Sequence, residues 1–178
     1  MRFGNEREVV EPGMIIRLSQ KLNARIMAGT LAARPLEENP YADWSAHLFV
    51  ADRTRYIIVS NTKSLYSTVM YAKGVTNDSR FIDRAFSSLR EFMEEDGQAF
   101  VYHQFIAPAS GTVRFGKSLD RSVTGSINDL VYNATIWLTE GELSPFDVGF
   151  KLNDIPFSSL RYFKPREAFK AMAAIEKQ

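Results

Sequence analysis

The clearest helical stripe in the chain runs from Asp78 to Glu95. Phe81, Ile82, Ala85, Phe86, Leu89, Phe92 and Met93 recur at the 3.6-residue period, charged residues fill the remaining faces, and Asp96-Gly97 ends the pattern. A second strong helix is predicted from Ser122 to Glu140, with Ser122 as its cap and Gly141 just past its end. Shorter helices are expected at Gln20 to Met27, capped by Ser19 and closed by Gly29, from Pro145 to about Asn153, and from Pro165 to Glu176. Strand-like runs occupy Met14 to Ser19, Ala46 to Val50, Tyr56 to Ser60, Leu65 to Tyr71 and Thr112 to Phe115. The connections among the middle three are too short for parallel crossovers, so they predict hairpins. Tyr56-Ile57-Ile58-Val59 is apolar at successive positions, which predicts a strand covered on both faces. The segment Gln98 to Ala107 reads as helix, although Phe100, Val101, Phe105 and Ile106 would also suit a strand. The expected fold class is α+β, a mostly antiparallel sheet of about four or five strands covered by helices. Residues 1–13 are polar and charged and end in Pro12-Gly13, so they read as an extension to a single domain over residues 14–178.

Composition mainly excludes. With 178 residues and a net charge of +1, the chain is long enough for its own core and carries no global field toward nucleic acid or an acidic membrane. The absence of cysteine removes disulfides, thiolate chemistry and Cys-based metal sites, and two histidines argue against a His-rich one. No metal and no cofactor is therefore expected. No apolar run approaches a membrane span and the N-terminus has no signal-peptide core, which makes the cytoplasm the expected location.

Three motifs bear on chemistry. Gly111-Thr112-Val113-Arg114-Phe115-Gly116-Lys117-Ser118 satisfies the phosphate-loop expression G-x-x-x-x-G-K-[ST]. A working loop of that kind leaves a buried strand and runs straight into a helix. Here Pro108 precedes it, its interior alternates like a strand, and the helix signal arrives only at Ser122, so the match is read as accidental. His47 follows Asp43 by four residues and would pair with it on a helix, but Ala46 to Val50 reads as strand; His103 sits in an apolar run with no specified partner. Finally, residues 14–34 hold Arg17, Lys21, Arg25 and Arg34 with no acid, and residues 161–170 hold Arg161, Lys164, Arg166 and Lys170 against Glu167. Convergence of these segments would make an anionic partner plausible, nucleic acid included; the near-zero net charge favours solvated surface instead.

The predicted helix 122–140 stands out because its only charges are Asp129 and Glu140. An uncharged face carrying Tyr132 and Ile136 suggests contact on both sides, self-association among the options. Met14 to Leu22, Leu36-Glu37-Glu38-Asn39-Pro40 with Asp43-Trp44, Asn61-Thr62 with Ser64-Leu65-Tyr66, Asn153-Asp154 with Pro156, and above all Arg121-Ser122-Val123-Thr124-Gly125-Ser126-Ile127-Asn128-Asp129 are similar to a bacterial family of uncharacterised domains. The resemblance covers nearly the whole chain from Met14 and implies no activity. The candidate functional surface is accordingly Arg121, Ser122, Gly125, Ser126, Asn128 and Asp129, with Gly125 expected at a close approach because only glycine leaves that space. Two function classes follow. The favoured one is a non-catalytic binding or interaction module, self-associating or not. The alternative is an enzyme on a phosphate-bearing or nucleic-acid substrate, for which Arg121, Asn128 and Asp129 should converge in a deep pocket.

Overall fold

The computed structural model describes residues 13–175. The extension expected over residues 1–13 therefore lies, Gly13 apart, outside the described residues. The element order is β1 (Met14–Leu18), α1 (Gln20–Ile26), β2 (Asp43–Ala51), β3 (Thr54–Asn61), β4 (Ser67–Tyr71), α2 (Asp78–Glu95), α3 (Ala99–Val101), β5 (Val113–Gly116), α4 (Arg121–Thr139), α5 (Pro145–Leu152) and α6 (Pro165–Ile175). The five strands form one sheet in the order β4-β3-β2-β1-β5. The class is α+β, and the longer pairings, β2 with β3 and β3 with β4, are antiparallel. The two pairings made by β1, with β2 and with β5, are parallel. The sheet is therefore mixed, and β1 is its parallel centre.

Each element has a local cause. Ser19 caps α1 by accepting the Leu22 N–H, and Asn77 caps α2 by accepting that of Arg80. The β2–β3 hairpin turns through Asp52 and Arg53, both at positive φ, the two-residue geometry whose twist suits flanking strands. Residues 99–109 are helical throughout but irregular. One α turn widens to a π turn at Tyr102–Ile106 and tightens to a 3₁₀ turn at Ala107–Ala109, where Pro108 removes a donor. That irregularity explains why the segment's pattern suited neither element cleanly. Two details differ from the sequence reading. The left-handed residue closing α1 is Met27 rather than Gly29, and the cap of α4 is Asp120, whose side chain accepts the Val123 N–H, so Ser122 falls inside the first turn.

Both faces of the sheet are covered. Ile57 and Val59 point into the larger core, with Leu22 and Ile26 of α1, Phe81, Leu89 and Phe92 of α2 and Phe169 of α6. Tyr56 and Ile58 point into the smaller core, with Ile127, Leu130 and Ala134 of α4 and Val148 of α5. So β3 is buried on both sides, as its unbroken apolar run predicts. The arrangement also places α1, which follows β1, and α4, which follows β5, on opposite faces of neighbouring parallel strands. Among the described residues, no helix is long and apolar enough to cross a membrane.

Candidate functional site

The sequence-predicted residues on α4 do not share one pocket. Arg121, Ser122 and Asp129 are exposed and, with Gly125, lie on the outward side of the helix. Gly125 is exposed too, and nothing lies within 4 Å of a Cβ built on it, so the close approach expected there is absent. Its position on the outward side of α4 is the reason. Ser126 is buried and its hydroxyl meets that of Ser159 at 3.1 Å, a link between helix and loop. The Asp129 carbonyl accepts the Asn133 side-chain N–H. Of the six, Asn128 lines a large cavity, together with its neighbours Thr124 and Val131.

That cavity is a cleft of about 1340 Å³ at the carboxyl ends of β1, β2 and β5. One wall is α1, through Gln20, Lys21, Asn23 and Ala24; the other is α4. In open sheets the crevice between carboxyl ends whose following helices lie on opposite faces is where ligands bind. The lining among the described residues contains Lys21, Arg55, Lys117 and His47 but no Asp or Glu. Among the described residues, no hydrogen bond or ion pair engages the side chains of Lys21, Arg55 or Lys117. Ser19, Thr30, Ser118 and Thr124 add hydroxyls, and Leu18, Leu48, Phe49 and Val131 supply apolar floor. Asn23 donates to the Gly29 carbonyl, which leaves its buried Oδ1 without a donor. Burial lowers the pKa of His47 below the ordinary value of 6.5, so the ring is neutral at pH 7.

The other candidate chemistry resolves differently. The strand holds His47 and Asp43 on one face but about 13 Å apart, at roughly 3.3 Å per residue, so the pair that a helix would have made does not exist. His103 is exposed, with Nε2 3.4 Å from Glu94 Oε1. In the phosphate-loop expression the strand β5 lies inside the motif rather than before it, and the Thr112 carbonyl accepts the Met14 N–H as part of the sheet. The motif is an edge strand, yet its Lys117 and Ser118 still reach the cleft.

Most of the clustered arginines are consumed structurally. Arg25 donates to the Val75 and Ala72 carbonyls, and Arg34 to that of Phe115. Arg166 is bound to Asp96 and Asp154. Arg17 is fully buried and uses all of its donors. Nε and Nη2 bind Asp43 at 2.8 Å each, while further N–H groups reach the carbonyls of Arg34, Pro35 and Lys117. Asp43 in turn accepts the Thr62 hydroxyl and the Glu37 N–H. This knot ties β1, β2, the loop at residues 34–37 and the segment after β5, and it holds the backbone of Lys117 while the ammonium stays free. Arginine's planar fork suits this work better than a lysine point charge would.

A family profile described as a domain of unknown function, DUF6933, matches residues 15–168. The chain belongs to that family. No curated protein and no solved structure matches it.

Proposed function

We infer that this protein is a non-catalytic binding module whose ligand is an anion seated in the cleft between α1 and α4. One observation carries the reading: among the described residues, Lys21, Arg55 and Lys117 line the cleft without partners, and no carboxylate lines it with them. Unpaired cations in a walled crevice repel one another and focus a positive potential, which an anion relieves. The neutral His47 and the hydroxyls of Ser118 and Thr124 add hydrogen-bonding capacity to that setting. The runner-up, an enzyme on a phosphate-bearing substrate, has less support, because Arg121 and Asp129 lie outside the cleft and His47 has no carboxylate to orient it. A second surface supports self-association: Tyr132 is 69% exposed and Ile136 39% on the outer side of α4, beside Asp129. A bacterial, cytoplasmic setting stays part of this proposal.

Thermal melts with inorganic tripolyphosphate, at low and high salt, test the reading. A ligand at about 100 times its Kd stabilises by about 2.7 kcal/mol. The expected result is a rise in Tm that shrinks with salt and disappears in the Lys21→Glu/Lys117→Glu double variant. An unchanged Tm in the wild type, or an equal rise in the variant, contradicts it. Sedimentation of the wild type beside Tyr132→Glu tests the second surface.

A further inference from the structure

The strand β2 outruns its neighbour. The last β1–β2 pair is Leu18 with Ala46, and the Ser19 N–H closes the ladder on the Ala46 carbonyl at 3.0 Å before the chain turns into α1. β2 runs on from His47 to Ala51 with β3 alone beside it. Backbone groups alternate along a strand, and two bonds fix the phase here. The Asp43 carbonyl accepts from Thr62 on the β3 side, and the Ala46 carbonyl faces β1. Leu48 and Val50 therefore direct their N–H and C=O groups to the line along which β1 would have continued. Among the described residues no backbone group meets them there. Both residues line the cleft, and Val50 is 56% exposed.

An open strand edge is a template for pairing, and folded proteins usually cover or blunt it. Here the edge is accessible at the floor of a crevice. Arg55 sits opposite Val50 on the face of the sheet where α1 packs, so Arg55 and Lys21 flank the edge from one side. Val131 and Phe49 give the other side an apolar surface. At about 1340 Å³ the cleft also exceeds the roughly 300–1,000 Å³ usual for small-molecule sites. A small anion would use the cations and leave the edge idle.

We propose that the cleft receives an extended acidic peptide that adds a strand beside β2. Its backbone pairs with Leu48 and Val50, its carboxylates meet Lys21, Arg55 and Lys117, and its alternate apolar side chains rest toward α4. This rests on the anion-binding reading above and names the ligand class. Main-chain pairing supplies affinity in such additions, and alternate side chains supply selectivity.

Three fluorescein-labelled hexapeptides test it by anisotropy: one alternating Glu and Val, the same sequence with alternate backbone nitrogens methylated, and one alternating Lys and Val. The first should bind saturably, be displaced by tripolyphosphate and lose affinity in Lys21→Glu. Methylation removes edge hydrogen bonds without touching charge and should weaken binding roughly tenfold. The Lys peptide should not bind. Equal affinity of the methylated and parent peptides, or tripolyphosphate binding with no peptide binding, overturns the strand addition and leaves the anion site standing. If neither tripolyphosphate nor the acidic peptide binds, the anion site falls with it.

Discussion

The Arg17–Asp43 knot and the cleft share a boundary, the Lys117 carbonyl, and treat charge in opposite ways. In the knot every N–H of one guanidinium and both oxygens of one carboxylate have partners, and both side chains are at most 1% exposed. In the cleft three cations have none among the described residues, and no described acid lines it. Burying charge is costly unless it is paired and hydrogen-bonded, which the knot achieves, whereas the cleft cations are exposed and need no partner to hold the fold. The contrast teaches which polar residues hold the fold together and which are left over for a partner.

The largest expected effect comes from opening the knot. Asp43→Ala strands a buried guanidinium and should cost about 3–5 kcal/mol in urea unfolding. Thr62→Val removes one of the four donors to Asp43 and should cost about 1 kcal/mol. A loss below 1 kcal/mol for Asp43→Ala would erase the distinction between the two regions.

Two glycines sharpen the same contrast between filled and open ground. A Cβ on Gly149 would lie 2.8 Å from Cε2 of the buried Phe92, so Gly149→Ala should destabilise by about 1–3 kcal/mol. Gly125 has open space, and Gly125→Ala should stabilise by up to about 1 kcal/mol through helix propensity. Opposite shifts in Tm are the expected reading. A large loss at Gly125 would mean that the outer side of α4 is not free.

His47 gives the cleft a pH signature. Burial lowers its pKa in the folded state, so below the ordinary value of 6.5 the unfolded chain binds the proton more readily. Its contribution is complete above pH 6.5 and is lost as pH falls below that. His47→Gln should flatten this part of the stability curve in urea melts at stepped pH. A steeper curve in the variant would contradict the assignment. Smallest of all, Lys21→Ala and Lys117→Ala should each change stability by no more than about 0.5 kcal/mol, because neither side chain has a partner to lose among the described residues.

Much of the fold is written locally. Ser19, the full span of α2 and the double-sided burial of β3 follow from caps and periodicity that a few neighbouring residues define. The parallel centre does not: β5 pairs with β1 across about a hundred residues, and no short-range pattern encodes that contact. Asp120 and Ser122 are both competent caps, and only the chain's exit from β5 decides between them. The cleft was harder to see, because its walls come from residues 18–31, 47–55 and 117–131. One signal did exist in the acid-free run from residue 14 to 34. Its arginines turned out to hold carbonyls and Asp43, and its single lysine was the residue left for the cleft. Of the candidate surface on α4, Asn128 is the member that lines the cleft.

The most direct measurement is an amide and side-chain NMR titration of the whole chain with tripolyphosphate. Saturable shifts are expected at Lys21, His47, Arg55, Lys117 and Asn128, with Arg17, Asp43 and Thr62 unmoved. Shifts that fail to saturate, or that centre on Arg121 and Asp129 at the outer side of α4, would contradict it.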